Sequence, residues 1–408
     1  CQKAGITFIG PSPHSLELLG DKVKARELAI KVGVPVVPGT DGPVATIKEG
    51  LAFTQRIGYP VMVKASAGGG GRGLRVVRSD DELKEAIIDT FHSTHGLDYE
   101  KSQILVSCGA KHTLYNFTQA FLDAGDEVIV PSPYWVSYPE QILLADATPV
   151  FLKTEESSSY AINADSLEAL ITQKTKAIIL NSPCNPTGSL YDRSTLERVA
   201  ELALRHDLLI VSDEIYEYLV YDGHQHTSIA SLGPEIAART LVVNGVSKSY
   251  AMTGWRIGYA GGPKDLITAM GHIQSQSTSN PASISQKAAV AAIREGQTLS
   301  ESMVQDLDIQ RTTMVKGLNA IQGITCPTPQ GAFYAFPNIS SLIGKQHSNG
   351  IIRTPSDLAH YLLTEGNVAC VAGEPFGSLE HIRFSYTPHV SVIKEGMERL
   401  AATIHKLQ

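Results

Sequence analysis

Four side chains in this sequence could act together on a cofactor that carries an aldehyde and a pyridine ring. The amine of Lys248 can form an imine with an aldehyde, and the carboxylate of Asp213 can pair with a protonated pyridine nitrogen. The hydroxyl of Tyr216 and the amide of Asn185 can hydrogen-bond a phenolic oxygen. They stand in the motifs Asn181-Ser-Pro-Cys-Asn-Pro-Thr-Gly188, Ser212-Asp-Glu-Ile-Tyr216 and Asn244-Gly-Val-Ser-Lys-Ser-Tyr-Ala-Met-Thr-Gly-Trp-Arg256.

A phosphate could bind nearby, where Gly109, Ala110 and Lys111 lie between a β-rich run and a predicted helix. The first backbone N–H groups of a helix are free and carry a positive partial charge, which favours anions. Ser247 and Arg256 add a hydroxyl and a bidentate cation. An amine, an acid, two phenolate donors and a phosphate cradle together indicate a pyridoxal 5'-phosphate site.

Each of these residues taken alone has a simpler explanation. A lysine after a strand is usually a surface cation, and Asp213 could cap a helix. Asn185 stands in a strong turn signal, and small residues at positions 109 and 110 also suit close helix packing. The joint occurrence of the motifs favours the cofactor site.

From residue 104 onward, β-rich runs alternate with helical patterns, which predicts an α/β domain with a mainly parallel sheet of seven strands. Ligands of such sheets bind at the carboxyl ends of the strands, where the polar motifs stand. After about residue 290, longer helices predict a smaller α+β domain. The predicted strands are 104–107, 127–130, 148–152, 177–180, 208–211, 241–243 and 256–259.

The composition of the 408 residues, with 43% hydrophobic residues and a net charge of −7, predicts a folded protein without a nucleic-acid partner. Five scattered cysteines form no CxxC pair, so neither a disulfide framework nor a metal site is expected. No apolar run is long enough for a membrane helix, and we expect a cytoplasmic protein. The chain starts at Cys1 without a methionine, and we expect it to begin inside a parent domain.

Residues 88–408 resemble the class I aminotransferases of fold type I, in the aspartate aminotransferase branch. The resemblance implies a cofactor-binding large domain over 88–290, a small domain over 291–408, and a homodimer. It implies that Lys248 holds the cofactor and moves the substrate proton, that Asp213 faces the ring nitrogen, and that Tyr216 and Asn185 contact the phenolic oxygen. It assigns Trp135 to stacking on the ring and Arg383, with Asn185, to the substrate. A buried core tryptophan and an ordinary strand-edge cation are the alternatives for Trp135 and Arg383.

Residues 1–87 differ in charge from the rest, with 12 Lys and Arg against 9 Asp and Glu, whereas the remainder has 22 against 32. Lys22, Tyr59-Pro-Val-Met-Val-Lys64 and a glycine run at 68–71 followed by Arg72 resemble the middle of biotin carboxylase, an ATP-grasp enzyme. We therefore predict a fusion with a partial ATP-grasp segment over 1–87. Its junction is expected near residues 82–90.

The function expected from the sequence is transfer of the amino group of an L-amino acid, preferably aspartate-like, to a 2-oxo acid such as 2-oxoglutarate. The replaced front end is expected to impair this activity. Two alternatives stay open, namely a fragment of an ATP-dependent carboxylase and an inactive fusion that only binds pyridoxal phosphate.

Overall fold

The computed structural model describes residues 22–36, 53, 61–64, 74–77, 80–347 and 350–408. The chain divides into two compact units, Cys1–Glu82 and Leu83–Gln408. The glycine run at 68–71 and Arg72, on which the ATP-grasp prediction depends, lie outside the described residues.

In the first unit, helix α1 is Lys22–Lys31, and strands β1 and β2 are Val61–Lys64 and Leu74–Val77. The two strands pair antiparallel, with Val61 opposite Val77 and Lys64 opposite Leu74. The glycine-rich residues 65–73 therefore connect the two paired strands in the sequence.

The second unit contains the seven-stranded sheet that the sequence predicts, in the spatial order β3-β9-β8-β7-β6-β4-β5. Strand β9 is antiparallel to both of its neighbours, and the remaining pairs are parallel. The expectation of a mainly parallel sheet is thus confirmed. The strands are β3 Ile104–Ser107, β4 Glu127–Ser132, β5 Thr148–Lys153, β6 Thr175–Asn181, β7 Leu209–Asp213, β8 Thr240–Gly245 and β9 Gly258–Gly261.

Helices cover both faces of this sheet, as the alternating pattern of the sequence predicts. They are α2 Asp80–His95, α3 Ala110–Phe121, α4 Ser137–Leu143, α5 Ala164–Glu168, α6 Arg193–Arg205, α7 Pro234–Ala237, α8 Lys264–Ser277 and α9 Ser283–Glu295.

The central strands are apolar on both faces because each face packs into a separate core. In β6, Ala177 and Ile179 pack into one core, whereas Ile178 and Leu180 pack into the other. Burial of each isoleucine or leucine side chain stabilises the fold by about 1.5–3 kcal/mol. The continuous apolar run is therefore required by a sheet covered on both sides.

A small antiparallel sheet follows, in the order β10-β14-β13, packed against three helices. Its strands are β10 Tyr334–Ala335, β13 Val371–Ala372 and β14 Ile382–Ser385, and Gln346–His347 pairs with Gly350–Ile351 as β11 and β12. The helices are α10 Gln297–Asn319, α11 Pro355–Gly366 and α12 Val390–Ile404.

Helix α11 shows why these boundaries follow from the sequence. Thr354 and Asp357 form a reciprocal capping box at its start, with Pro355 in the first turn. At the other end, Asn367 adopts a left-handed conformation with φ 49°.

The carboxyl ends of β3, β4, β6, β7 and β8 lie at one edge of the large sheet, because these strands all run in the same direction. Asn181 and Asp213 end β6 and β7, and Lys248 follows β8. Among the described helices, none is long and apolar enough to cross a membrane.

Candidate active site

A cavity of about 340 Å³ lies at this edge and collects the residues that the sequence singled out. Of the predicted site residues, only Gly109 is not part of its lining. Two more open depressions elsewhere on the surface contain none of these residues. The lining consists of Ala110, Lys111, Trp135, Tyr138, Asn181, Asn185, Asp213, Ile215, Tyr216, Ser247, Lys248, Thr253, Arg256, Tyr334 and Arg383.

The amine of Lys248 lies near two aromatic rings in the cavity. Its Nζ lies 5.3 Å from the ring centre of Phe333 and 5.9 Å from that of Tyr216. Burial lowers the pKa of Lys248, and the positive charges of Arg256 and Arg383 lower it further, whereas Asp213 acts in the opposite direction. A neutral amine is therefore more available here than on an exposed lysine, as a nucleophile or a base requires.

Asp213 is buried at the end of β7, with its carboxylate oriented by two donors. The hydroxyl of Tyr138 donates to Oδ2 at 2.6 Å, and the backbone N–H of Ile215 donates to Oδ1 at 3.3 Å. Burial raises the pKa of Asp213 to about 6, although these two hydrogen bonds act to lower it. A cation placed against this carboxylate would favour its ionised form.

The alternative that Asp213 caps a helix is wrong. The described chain from 214 to 228 continues as turns rather than as an α-helix. The carboxylate of Asp213 accepts the backbone N–H of Ile215, in the turn that Asp213 begins. A turn and not a helix end therefore orients this carboxylate.

Two further pairs of side chains converge on the cavity from the two sheets. The hydroxyls of Tyr216 and Tyr334 lie 3.0 Å apart, and Arg383 Nη1 donates to Asn185 Oδ1 at 2.8 Å. Since the guanidinium only donates, the amide oxygen of Asn185 is used and its NH₂ group remains as a donor. In the tyrosine pair, one hydroxyl donates to the other, and the acceptor hydroxyl can donate into the cavity.

The guanidinium of Arg383 lies near two aromatic rings and could bind a carboxylate. Its guanidinium lies 4.4 Å from the ring centre of Tyr334 and 4.7 Å from that of Phe376, and its buried Nε has no hydrogen-bond partner among the described residues. Burial lowers the pKa of Arg383. Because β14 is the central strand of its sheet, the interpretation of Arg383 as a strand-edge cation is wrong.

The loop between β3 and α3 forms a cradle at the other end of the cavity. Gly109 has φ +89°, and a Cβ atom there would lie 2.2 Å from Nη2 of Arg256. A Cβ on Gly258 would lie 2.2 Å from the backbone nitrogen of Ala110. Only glycine allows the backbone and the guanidinium to approach so closely.

Anion binding fits this cradle for two reasons. Within the described chain, the N–H groups of Ala110 and Lys111 make no hydrogen bond, as expected in the first turn of a helix. The guanidinium of Arg256 lies beside them, held by the carbonyl of Thr253 at 2.9 Å. Together with Asp213 and Lys248, the cradle fits a cofactor that has a phosphate, a basic ring nitrogen and an aldehyde.

Trp135 is half-buried and lies at the rim of the cavity, with the amine of Lys111 at 5.0 Å from its ring centre. It is therefore not a fully buried core residue. One face of an aromatic side chain in this position can stack on a planar ligand.

Sequence reasoning missed several residues of the cavity, among them Tyr138, Asn181, Thr253 and Tyr334. Asn181 orients two of its neighbours, since its Oδ1 accepts the N–H of Asn185 at 2.8 Å and its Nδ2 donates to the carbonyl of Asp213 at 3.0 Å. A signal existed for Asn181, which begins its motif at the end of a predicted strand. Tyr138 and Tyr334 carry no such signal, because their partners are distant in sequence.

Comparison with known proteins gives a consistent result. The sequence model of the family described as "Aminotransferase class I and II" matches residues 54–404. The chain is 48% identical over 318 residues to an aspartate aminotransferase of Geobacillus stearothermophilus, covering 78% of this chain and 80% of that protein. It is 44% identical over 328 residues to an aspartate aminotransferase of Rhizobium meliloti (strain 1021), covering 80% of each chain.

Solved structures show the same likeness. The crystal structure of an aspartate aminotransferase from Rhizobium meliloti superimposes with a TM-score of 0.79 at 38% identity, covering 98% of this chain and 100% of that chain. An aromatic aminotransferase from Pyrococcus horikoshii gives a TM-score of 0.74 at 36% identity, covering 79% of this chain and 85% of that chain.

Proposed function

The chain belongs to the class I and II aminotransferases, and we propose that an aspartate-like L-amino acid is its amino donor and 2-oxoglutarate its acceptor. The enzyme transfers amino groups between amino acids and 2-oxo acids with pyridoxal 5'-phosphate as cofactor. The preference for aspartate is supported by the names of the relatives, and the site itself is compatible with any L-amino acid whose carboxylate Arg383 can bind.

The main observation behind the proposal is that Lys248, Asp213, Arg256 and Arg383 line one cavity. When bound, the cofactor supplies an aldehyde carbon for a bond to nitrogen and a protonated ring that withdraws electrons from the substrate. We assign its phosphate to Ala110, Lys111, Ser247 and Arg256, with Gly109 providing the close approach.

Asp213 is proposed to bind the protonated ring nitrogen. Tyr138 holds Oδ2 in place, and the Ile215 N–H holds Oδ1, so the carboxylate cannot rotate away from the ring. Burial from water strengthens an ion pair formed there. Tyr216 and Asn185 are assigned to the phenolic oxygen, and Trp135 to the face of the ring.

Lys248 and Arg383 are proposed to act on the substrate. The guanidinium of Arg383 binds the α-carboxylate with two parallel hydrogen bonds, which fixes the orientation of the Cα–H bond. The Lys248 amine then accepts the proton of Cα, and its lowered pKa keeps it neutral for this task.

The test uses purified protein incubated with pyridoxal phosphate and then with aspartate, alanine or phenylalanine. We expect aspartate to convert the absorbance of the bound aldehyde form fastest, and Lys248→Ala to lose the covalent label left by borohydride. A wild-type protein that is folded yet acquires no label would overturn the proposed role of Lys248. A labelled protein that no amino acid converts would support the inactive, cofactor-binding alternative.

We also propose that residues 1–87 come from a biotin carboxylase-like ATP-grasp enzyme. The curated relatives align over 318–328 residues, about four fifths of the chain. The charge balance of residues 1–87 is positive, whereas that of the remainder is negative. Strands β1 and β2, which flank the glycine-rich residues 65–73 in the sequence, pair antiparallel. The match to the aminotransferase family begins at residue 54, inside this segment.

The consequences of such a fusion concern assembly and rate. We propose a homodimer that transaminates more slowly than an enzyme with an intact aminotransferase front end. Molar mass in solution, measured together with cofactor titration, tests this, since the monomer mass is 43.8 kDa. Stabilisation by ATP that is lost in Lys64→Ala would favour the carboxylase alternative. The cytoplasmic location stays a prediction.

A further inference from the structure

A buried cluster of two histidines and two glutamates lies just beyond the end of β7. His95 ends helix α2, Glu214 and Glu217 follow Asp213, and His226 lies in the loop after them. The side chains of all four are at most 6% exposed. His95 Nε2 lies 2.6 Å from Glu217 Oε2 and 3.9 Å from Glu214 Oε2, and His226 Nε2 lies 3.1 Å from Glu214 Oε2.

The negative charge of this cluster is not balanced by lysine or arginine. Within the described chain, the ion-pair partners of Glu214 and Glu217 are imidazoles. The remaining donors are neutral, namely the hydroxyls of Ser212 and Ser228 to Glu214 and the amide of Asn244 to Glu217. Two carboxylates in a buried site require a cation or protons to compensate them.

Several polar atoms of the cluster lack a hydrogen bond. Among the described residues, Glu214 Oε2 is buried and makes no hydrogen bond that meets the usual geometry, although His226 Nε2 lies 3.1 Å from it. Both ring nitrogens of His226 also have none among the described residues. Buried polar atoms are rarely left so, and several in one place indicate a missing ligand.

We propose that this cluster is a binding site for a divalent metal ion of the zinc type, with His95, His226, Glu214 and Glu217 as its ligands. Imidazole and carboxylate together suit zinc better than magnesium or calcium, which prefer oxygen alone. For metal–ligand bonds of about 2.0–2.1 Å, neighbouring ligand atoms of a tetrahedron lie about 3.3 Å apart. Ligand atoms of His95, Glu214 and Glu217 lie within 4.8 Å of one another. His226 Nε2 lies 3.1 Å from Glu214 Oε2, so the His226 ring would have to move toward the other three ligands to complete the site.

The site would be structural. Four protein ligands close a tetrahedral zinc site and leave no position for a substrate. The ion would fasten the end of helix α2 to the segment that begins one residue after Asp213. A metal bound there would hold the cofactor-facing acid in place without taking part in the reaction.

The experiment uses the full chain as purified, stripped with a chelator, desalted and mixed with ZnCl₂. Metal per chain after gel filtration and the melting temperature with and without zinc are the readouts. We expect one zinc ion per chain and a higher melting temperature in the wild type. In His95→Gln and His226→Gln, zinc should bind at least about tenfold more weakly. His92→Gln is the matched control, since His92 is on the same helix but pairs with Asp98 on the surface.

Cobalt added to the wild type gives a test that does not depend on folding of the variants, because tetrahedral cobalt with nitrogen and oxygen ligands absorbs visible light. A wild-type chain that retains no zinc and gives no cobalt absorption would overturn the proposal. Zinc bound equally by wild type and His95→Gln would overturn it too. These readouts do not involve amino transfer. A failure of the metal-site proposal can therefore be distinguished from a failure of the proposed function.

Discussion

Removal of one hydroxyl, in Tyr138→Phe, should make cofactor binding more sensitive to acid. Tyr138 donates to Asp213 Oδ2 at 2.6 Å, and this bond lowers the pKa of a carboxyl that burial raises to about 6. Without the donor, the ionised form loses stabilisation and the pKa of Asp213 rises further. Asp213 must be ionised to pair with the protonated ring, so binding weakens as pH falls through its pKa.

The size of the effect follows from the strength of a hydrogen bond to a charged group, about 1.5–3 kcal/mol. Well below pH 6, where Asp213 is protonated in both proteins, the dissociation constant of Tyr138→Phe should exceed that of the wild type by about 10- to 150-fold. At pH 7 the ratio should be between about 2- and 15-fold, and it should approach 1 near pH 9.

The assay is titration of the protein with pyridoxal phosphate at a series of pH values, with the ratio of the two dissociation constants as the measured quantity. The ratio cancels the titration of the phosphate, which both proteins experience equally. Tyr361→Phe is the control, because this buried tyrosine donates to the carbonyl of Thr403 and does not contact Asp213. A ratio that is the same at every pH, or one that grows with rising pH, would refute the role assigned to Tyr138.

Three further substitutions test the other parts of the site. Lys248→Ala should abolish the borohydride label while leaving the melting temperature of the chain within a few degrees of the wild type, as peptide mapping and calorimetry will show. Arg383→Lys should raise KM for amino donors by about 10- to 100-fold in steady-state assays, because lysine cannot form the bidentate pair. As the control, titration with the cofactor should show an unchanged cofactor affinity. Gly109→Ala should weaken cofactor binding at least about tenfold, since its Cβ would displace the guanidinium of Arg256; unchanged affinity would show that this guanidinium is not part of the phosphate cradle.

The sheet could be predicted because its sequence signal is local. Each central strand is a short apolar run, and two such runs end at Asn181 and Asp213, so the chain order of the motifs already places them at one edge. The positions of Lys248 and of the cradle at Gly109 follow from the same rule. The antiparallel direction of β9 could not be predicted, because a strand of four residues carries no information about its direction.

The interactions between distant segments could not be predicted from the sequence. Tyr138 is 75 residues from Asp213, and Arg383 is 198 residues from Asn185, so no spacing rule connects them. Only the resemblance to a family selected Arg383. The cluster around Glu214 was missed for the same reason, since His95 is separated from Glu217 by 122 residues and the expectation about metals considered only the spacing of cysteines.

The charges of the cavity explain how one amine can serve two tasks. In the described chain its lining carries Lys111, Lys248, Arg256 and Arg383 against the carboxylate of Asp213. Burial lowers the pKa of Lys248, and two of these cations, Arg256 and Arg383, lower it further. A phosphate at Arg256 and a carboxylate at Arg383 would neutralise them in turn, so the pKa of the free amine rises as each anion binds. If the proposed roles hold, the free amine of Lys248 would be least basic while both anion sites are empty. It would become more basic once Arg383 binds the substrate carboxylate, while burial still keeps its pKa below the ordinary value.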